Sequence, residues 1–131
     1  MTTRRQRLKK LVSVQEQLKA LHETRHAGFL AQAAAAAREA DEIAASADAE
    51  TSLSGLFPAL YNRRIERALS REAENRDLAR SEAERVATAT ARTNMVERSY
   101  REARRQDDRA KGERDRLEMI EQLRGHNERG E

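Results

Sequence analysis

One stretch interrupts an otherwise helix-forming sequence and leaves the chain few possible folds. Ser46–Pro58 holds the only proline and the glycine Gly55, among Ser, Thr, Asp and Ala residues. Such clusters compete for backbone hydrogen bonds and interrupt helices. On both sides Ala, Glu, Arg and Leu dominate, a composition typical of long helices and coiled coils. We therefore predict an all-α fold, an antiparallel two-helix coiled-coil hairpin with a longer second helix.

The predicted boundaries follow from capping residues and helix breakers. Thr3 is suited to cap the first helix, and Pro58 is suited to a first helical turn, where a missing N–H costs no hydrogen bond. Gly125 is expected to end the second helix. The prediction is a single coiled-coil domain over residues 1–131, with helix 1 at about 4–47, a hinge at about 48–57, helix 2 at about 58–124 and a frayed tail at 125–131.

Apolar spacing predicts the seam, the face along which the two helices pack. In helix 1 a four-residue insertion, or stutter, is expected to unwind the supercoil locally. The predicted helix 1 seam is Leu8, Leu11, Val14, Leu18, Leu21, then Phe29, Ala33, Ala36, Ala40 and Ile43. The predicted helix 2 seam is Ile65, Leu69, Glu72, Arg76, Ala79, Ala83, Val86, Thr90, Thr93, Val96, Tyr100 and Ala103, with a weak continuation at Ala110 and Leu117–Ile120.

A hinge near residue 52 also predicts the register of the hairpin. Residues that face each other should have numbers that add up to about 105. The predicted pairs are Ala36 with Leu69, Ala40 with Ile65, Leu18 with Val86, and Leu21 with Ala83. This register also places Glu39, Asp41 and Glu42 beside Arg63, Arg64 and Arg67. Residues after about 101 have no predicted partner within the chain, because helix 1 is too short to reach them.

Composition narrows the functional classes. Hydrophobic residues make up 37% and aromatic residues 3% of the chain, too few for a thick globular core. There is no cysteine for a disulfide or a thiolate metal site, which suits a reducing compartment. No apolar run approaches the roughly 20 residues of a membrane span, so membrane insertion is not expected. We also expect no cofactor, no catalytic residue and no phosphate-binding loop.

One string matches a catalytic motif. The segment from His22 to His26 reads His-Glu-Thr-Arg-His, the HExxH pattern in which two histidines hold zinc and the glutamate polarises a water. Catalytic zinc also needs a third protein ligand and a shaped cleft. A straight helix places Glu39 or Glu42 roughly 20 Å or more away. We interpret both histidines as flanking the seam, and we rank a zinc peptidase below adventitious metal binding.

Two groups of residues are candidates for binding a partner. A basic group would meet at one end of the hairpin and could attract an acidic protein or phosphates. An apolar group at the hinge could plug the end of the hairpin or serve as a docking surface. The basic candidates are Arg4, Arg5, Arg7, Lys9, Lys10, Arg98, Arg101, Arg104 and Arg105, and the apolar candidates are Leu53, Leu56, Phe57, Leu60 and Tyr61.

Nucleic-acid binding is the alternative function for the basic group. It is disfavoured because acidic residues interleave with the basic ones along helix 2. The chain also lacks an aromatic platform on which bases could stack.

The whole pattern resembles the FliJ family, the small coiled-coil proteins of flagellar and type III export. The resemblance lies in the basic N-terminus followed by Leu8, Leu11, Leu18 and Leu21, the hinge near residue 50, and the charged end from Tyr100 to Glu118. It implies a non-enzymatic central stalk of a hexameric export ATPase that assists protein export and also contacts export-gate and chaperone proteins. It further implies a cytoplasmic protein, with peripheral attachment at the inner face of the membrane through the export apparatus.

Overall fold

The computed structural model describes residues 3–49 and 53–130, which contain two α-helices. Helix α1 spans Arg4–Ala47 and has 44 residues, and helix α2 spans Pro58–Arg129 and has 72. They form an all-α antiparallel helical hairpin with a longer second helix, as predicted. Hinge residues 50–52 and the last residue of the predicted tail lie outside the described residues.

Local hydrogen bonds explain where α1 begins and ends. The Thr3 hydroxyl accepts from the Gln6 N–H at 3.2 Å, and the Gln6 side-chain oxygen accepts from the Thr3 N–H at 3.0 Å. This reciprocal pair is a capping box, which satisfies N–H groups that have no partner in the first turn. At the other end the Ser54 hydroxyl donates to the carbonyl of Ala47 at 2.7 Å, satisfying one carbonyl of the last turn.

The start of α2 is built around its proline. The carbonyl of Leu53 accepts from the N–H groups of Leu56 and Phe57, both at 3.0 Å, and Pro58 follows as the first helical residue. Its fixed φ suits this position. The predicted end at about residue 124 is wrong, because α2 continues through Gly125 to Arg129. A helical glycine costs only about 1 kcal/mol relative to alanine, which does not by itself end a helix.

The chain divides into two compact units. The hairpin unit is Glu16–Thr90, and the terminal unit joins Met1–Gln15 to Ala91–Glu131. Each unit takes one segment from α1 and one from α2. Whether the chain is a single domain stays a prediction.

The core of the hairpin unit is lined by alanine. Ala68 is 0% exposed, and Ala33 and Ala79 are each 2% exposed. Small side chains allow two helices to approach closely, as the alanine-rich sequence predicts. Shielded residues recur every three or four positions, at Lys19, His22, His26, Phe29, Ala33, Ala36, Ala40, Ile43 and Ala47 in α1 and at Tyr61, Ile65, Ala68, Glu72, Asn75, Ala79, Glu82, Val86 and Ala89 in α2.

The predicted seam is wrong in the first half of α1. Leu11, Val14, Leu18 and Leu21 are each between 40% and 48% exposed. Leu8 is shielded as predicted, but the shielded positions that follow it are Val12, Gln15, Lys19, His22 and His26. This is an unbroken heptad spacing that leads to Phe29, so no stutter is present. A continuous heptad needs no local unwinding, and it accepts Gln and Lys because their stems pack while their polar heads stay in water.

From Ile65 to Val86 the predicted seam of α2 is right at every second position, and from Thr90 to Ala103 each predicted position is partly shielded or buried. Leu69 is 49% exposed, and Arg76 and Ala83 are also exposed. Their preceding neighbours Ala68, Asn75 and Glu82 are the shielded residues, while Ile65, Glu72, Ala79 and Val86 are shielded as predicted. Counted from Ile65, the shielded positions advance by three and then four residues, whereas the predicted seam advances by four and then three. Each wrong position is therefore off by one residue.

Two contacts between polar side chains in the hairpin unit locate the register. His22 contacts Glu82, and their numbers add up to 104, close to the predicted value. Arg71 donates to Glu39 at 2.7 Å. The prediction placed the group Glu39, Asp41 and Glu42 beside Arg63, Arg64 and Arg67. The nearest of these arginines, Arg67, is about one helical turn before the actual partner of Glu39.

The terminal unit has a smaller core. Leu8, Val12 and Gln15 are partly shielded in α1, and Thr93 and Ala103 are buried in α2, with Val96 and Tyr100 partly shielded between them. After Ala103 every described residue except two glycines is exposed. This agrees with the prediction that α2 has no internal partner beyond about residue 101. Within the described ranges, neither helix has a stretch both long and apolar enough to cross a membrane.

Cysteine crosslinking tests the corrected seam, since the chain has no cysteine of its own. Lys19→Cys with Val86→Cys should form a disulfide within one chain faster than Leu18→Cys with Val86→Cys, because Lys19 is in the seam and Leu18 is not. Ala40→Cys with Ile65→Cys is the positive control. Faster crosslinking of the Leu18 pair on non-reducing gels would restore the original seam. Efficient crosslinking of Leu18→Cys between two chains would indicate a parallel dimer.

Alanine substitutions test the same point through stability. Ile43 is 6% exposed, so Ile43→Ala should lower the free energy of unfolding by about 2 kcal/mol. Leu18 is 40% exposed, so Leu18→Ala should cost less than about 1 kcal/mol. Urea denaturation followed by circular dichroism measures both. Equal costs would contradict the assignment of Leu18 to the outer face.

Candidate partner-binding surfaces

Four predicted basic residues lie together in the terminal unit. Arg98, Arg101, Arg104 and Arg105 line one shallow depression with Asp108. Their spacing explains this, because residues three, four and seven apart share a face of a helix. Arg101 also lies 3.9 Å from the Glu97 carboxylate, and its side chain is 71% exposed. The result is a mainly cationic surface that includes one acidic side chain.

The predicted N-terminal basic residues belong to the same unit. Arg4, Arg7, Lys9 and Lys10 are exposed, and Arg5 is partly shielded. They lie within the first two turns of α1, so the helix holds them at fixed spacing. With the arginines of α2 they give the terminal unit most of its positive charge.

The apolar hinge residues are mostly exposed. Leu56 is 74%, Leu53 56%, Phe57 53% and Leu60 48% exposed. Tyr61 differs, because it is partly shielded in the seam of the hairpin unit. The plug interpretation therefore fits Tyr61, whereas the other four present apolar surface at the hinge.

A buried carboxylate is the polar feature that sequence reasoning missed. Glu82 is 3% exposed in the hairpin unit. Its Oε2 accepts from Nδ1 of His22 at 2.6 Å, and its Oε1 accepts from Nη1 of Arg85 at 2.9 Å. Both carboxylate oxygens are thus paired, as a buried charge requires. The strict heptad was the signal for this contact, since it places Glu82 in the seam and level with His22.

The surroundings of Glu82 lower its pKa. Burial raises the pKa of the carboxyl group, but the hydrogen bond from His22 and the charge of Arg85 outweigh it. The pKa of Glu82 therefore lies below its ordinary value of 4.5. The ionised carboxylate holds the two helices in register, because only one alignment brings His22 and Glu82 together.

The residues of the HExxH string have different surroundings in this arrangement. His22 and His26 are partly shielded in the seam, which corrects the prediction that they flank it. His22 is hydrogen-bonded to Glu82. The carboxylate of Glu23 lies 3.9 Å from the ammonium group of Lys19, and the Glu23 side chain is 54% exposed. Among residues 3–49 and 53–130, no three His, Asp or Glu side chains are placed to hold a metal ion.

Comparison with known proteins adds no relative. No family model matches the chain, and neither the curated proteins nor the solved structures searched include a match.

Acid should weaken the hairpin through Glu82. Because its pKa is lower in the folded than in the unfolded chain, its contribution is complete above about pH 4.5 and is lost as the pH falls through the folded value. We expect Glu82→Gln to lower the free energy of unfolding at pH 7 and to reduce its loss between pH 7 and about pH 3. Urea titrations at both pH values measure this.

Glu84→Gln is the matched control, since Glu84 is two residues away and exposed. It should leave stability at both pH values close to that of the parent chain. If Glu82→Gln has the same pH dependence as the parent, the buried pair does not couple folding to protonation.

Proposed function

We propose that this chain is a non-enzymatic coiled-coil interaction protein that acts as a FliJ-like central stalk of a flagellar or type III export ATPase. In this role it assists protein export and contacts export-gate or chaperone proteins in the cytoplasm. The family part of the proposal rests on the sequence resemblance. The part that concerns the binding surface rests on the terminal unit.

The observation that carries the proposal is the depression lined by Arg98, Arg101, Arg104 and Arg105. A stalk inside a ring contacts several subunits in turn, so a shallow charged surface serves it better than a deep pocket. Long cationic side chains on a helix can attract an acidic lumen from several directions and increase the rate of association. In the monomeric chain, the exposed helix after Ala103 extends the surface available to such a ring.

Nucleic-acid binding is the competing explanation of the same arginines. Phosphates would be attracted by this surface as well. The proposal favours a protein partner because Asp108 lines the depression and Glu97 lies beside Arg101. Carboxylates at these positions repel a phosphate backbone but can pair with basic residues of a protein.

Reversing Arg98, Arg101, Arg104 and Arg105 to Glu tests the proposal. We expect loss of binding to the export ATPase of the native host and loss of any ATPase stimulation. Helicity should change little because all four side chains are exposed or line the surface. Binding of the parent chain should weaken with salt, since exposed charges are screened beyond about 10 Å at 0.1 M ionic strength. Affinity capture from the host and circular dichroism provide the measurements.

The matched control reverses Arg63, Arg64, Arg67 and Arg80, four exposed arginines of the hairpin unit. It makes the same change in net charge at another place. Loss of binding only in the first variant supports the terminal surface. Equal binding by both variants at low salt would reject it, and recovery of RNA in place of an ATPase would favour the nucleic-acid alternative.

A further inference from the structure

The last part of α2 is a helix that the described chain does not cover. From Arg104 to Gly130 every residue is exposed except Gly112 and Gly125, which are partly shielded. The helix nevertheless continues to Arg129. Single helices are marginal in water, because most helical stability in proteins comes from packing of one face. This segment therefore presents a face for another helix.

The face has an apolar centre. Leu117 is 60% and Ile120 49% exposed, and Leu123 and Met119, each 61% exposed, lie to one side of this pair. Leu117 and Ile120 are three residues apart and thus adjacent on one side of the helix. Four large apolar side chains in such a short segment are unusual in a region where nearly all other residues are polar.

The charges around this centre have an inverted symmetry. Residues 109, 113, 117, 120, 124 and 128 fall within an arc of about 100° on one side of an α-helix. They read Arg109, Glu113, Leu117, Ile120, Arg124 and Glu128. When the order of these six residues is reversed, Arg109 corresponds to Glu128 and Glu113 corresponds to Arg124. The two central residues, Leu117 and Ile120, are both apolar. A helix with this pattern complements a copy of itself that runs in the opposite direction.

We propose that this segment pairs with the same segment of a second copy of the chain in an antiparallel homodimer. The two-fold axis lies between Glu118 and Met119. This alignment places Leu117 level with Ile120 of the second copy. It also places Glu113 level with Arg124, and Arg109 level with Glu128, each pair occurring twice. The paired segment is Asp108–Arg129.

A parallel arrangement of the same two segments is disfavoured. In register, it would place every glutamate of the face against a glutamate and every arginine against an arginine. Like charges at directly facing positions oppose pairing, and opposite charges favour it. The apolar centre drives association in either orientation, so the charges select the antiparallel one.

The molecular mass of the full chain in solution tests the dimer. Sedimentation equilibrium over the micromolar range should show a reversible monomer–dimer equilibrium. Leu117→Glu with Ile120→Glu should leave only monomer, with the hairpin still helical. Leu78→Glu is the matched control, since Leu78 is 47% exposed in the hairpin unit, and it should leave the dimer intact. A parent chain that stays monomeric at all these concentrations overturns the proposal.

Charge exchange tests the alignment and does not depend on the apolar residues. Glu113→Arg alone and Arg124→Glu alone should each weaken the dimer by at least about tenfold, because each creates two like-charge contacts. The double variant Glu113→Arg with Arg124→Glu restores opposite charges across the axis and should recover the affinity of the parent. Additive loss in the double variant would exclude this alignment.

Mixed disulfides test the orientation directly. A chain with Leu117→Cys mixed with a chain with Ile120→Cys should crosslink faster than either chain does with itself. Faster self-crosslinking of both single variants would indicate a parallel dimer and reject the proposal. The dimer does not depend on an export ATPase, so these experiments stand whether or not the stalk function holds.

Discussion

The close approach of two helices along an alanine-lined seam determines most other features of this chain. Alanine buries little apolar area, so the contact gains its stability from many small contributions along its length. Leucines that would usually fill a core are then left on the outside, as Leu18 and Leu69 are. The same geometry places a charged residue, Glu82, in the seam, and it is stable there because two neighbours pair with it.

Much of the fold follows from the sequence because it depends on local chemistry. The Thr3 cap, the break at Ser46–Pro58 and the start of α2 at its proline all act over a few residues. The register follows from the position of the hinge, since an antiparallel hairpin has only one way to match residues across it. These features required no knowledge of which side chains are buried.

The sequence predicts less well which face of each helix lies in the seam, because two neighbouring faces of α1 have the same spacing of candidate residues. In α1 the leucines at 11, 18 and 21 and the shielded residues Val12, Lys19 and His22 have the same spacing, offset by one position. Hydrophobicity favours the leucines, but a single uninterrupted heptad through the alanines from Ala33 onward requires the other set. The leucine phase therefore does not predict the buried pair, because Glu82 and His22 meet only in the second phase. The predicted end of α2 is wrong because one glycine costs too little to end a helix.

The hinge makes closure of the hairpin unit a sequential process. Glu39 and Arg71 are separated by 32 residues, whereas His22 and Glu82 are separated by 60. The entropy lost on closing a loop increases with its length, so contacts near the hinge form at lower entropic cost than distant ones. We therefore expect pairing within the hairpin unit to proceed from the hinge outward, with the contact between His22 and Glu82 among the later ones to form. In that order the segment between the buried pair and the hinge is already paired when His22 meets Glu82, and we expect the loss of this contact to be an early step of unfolding.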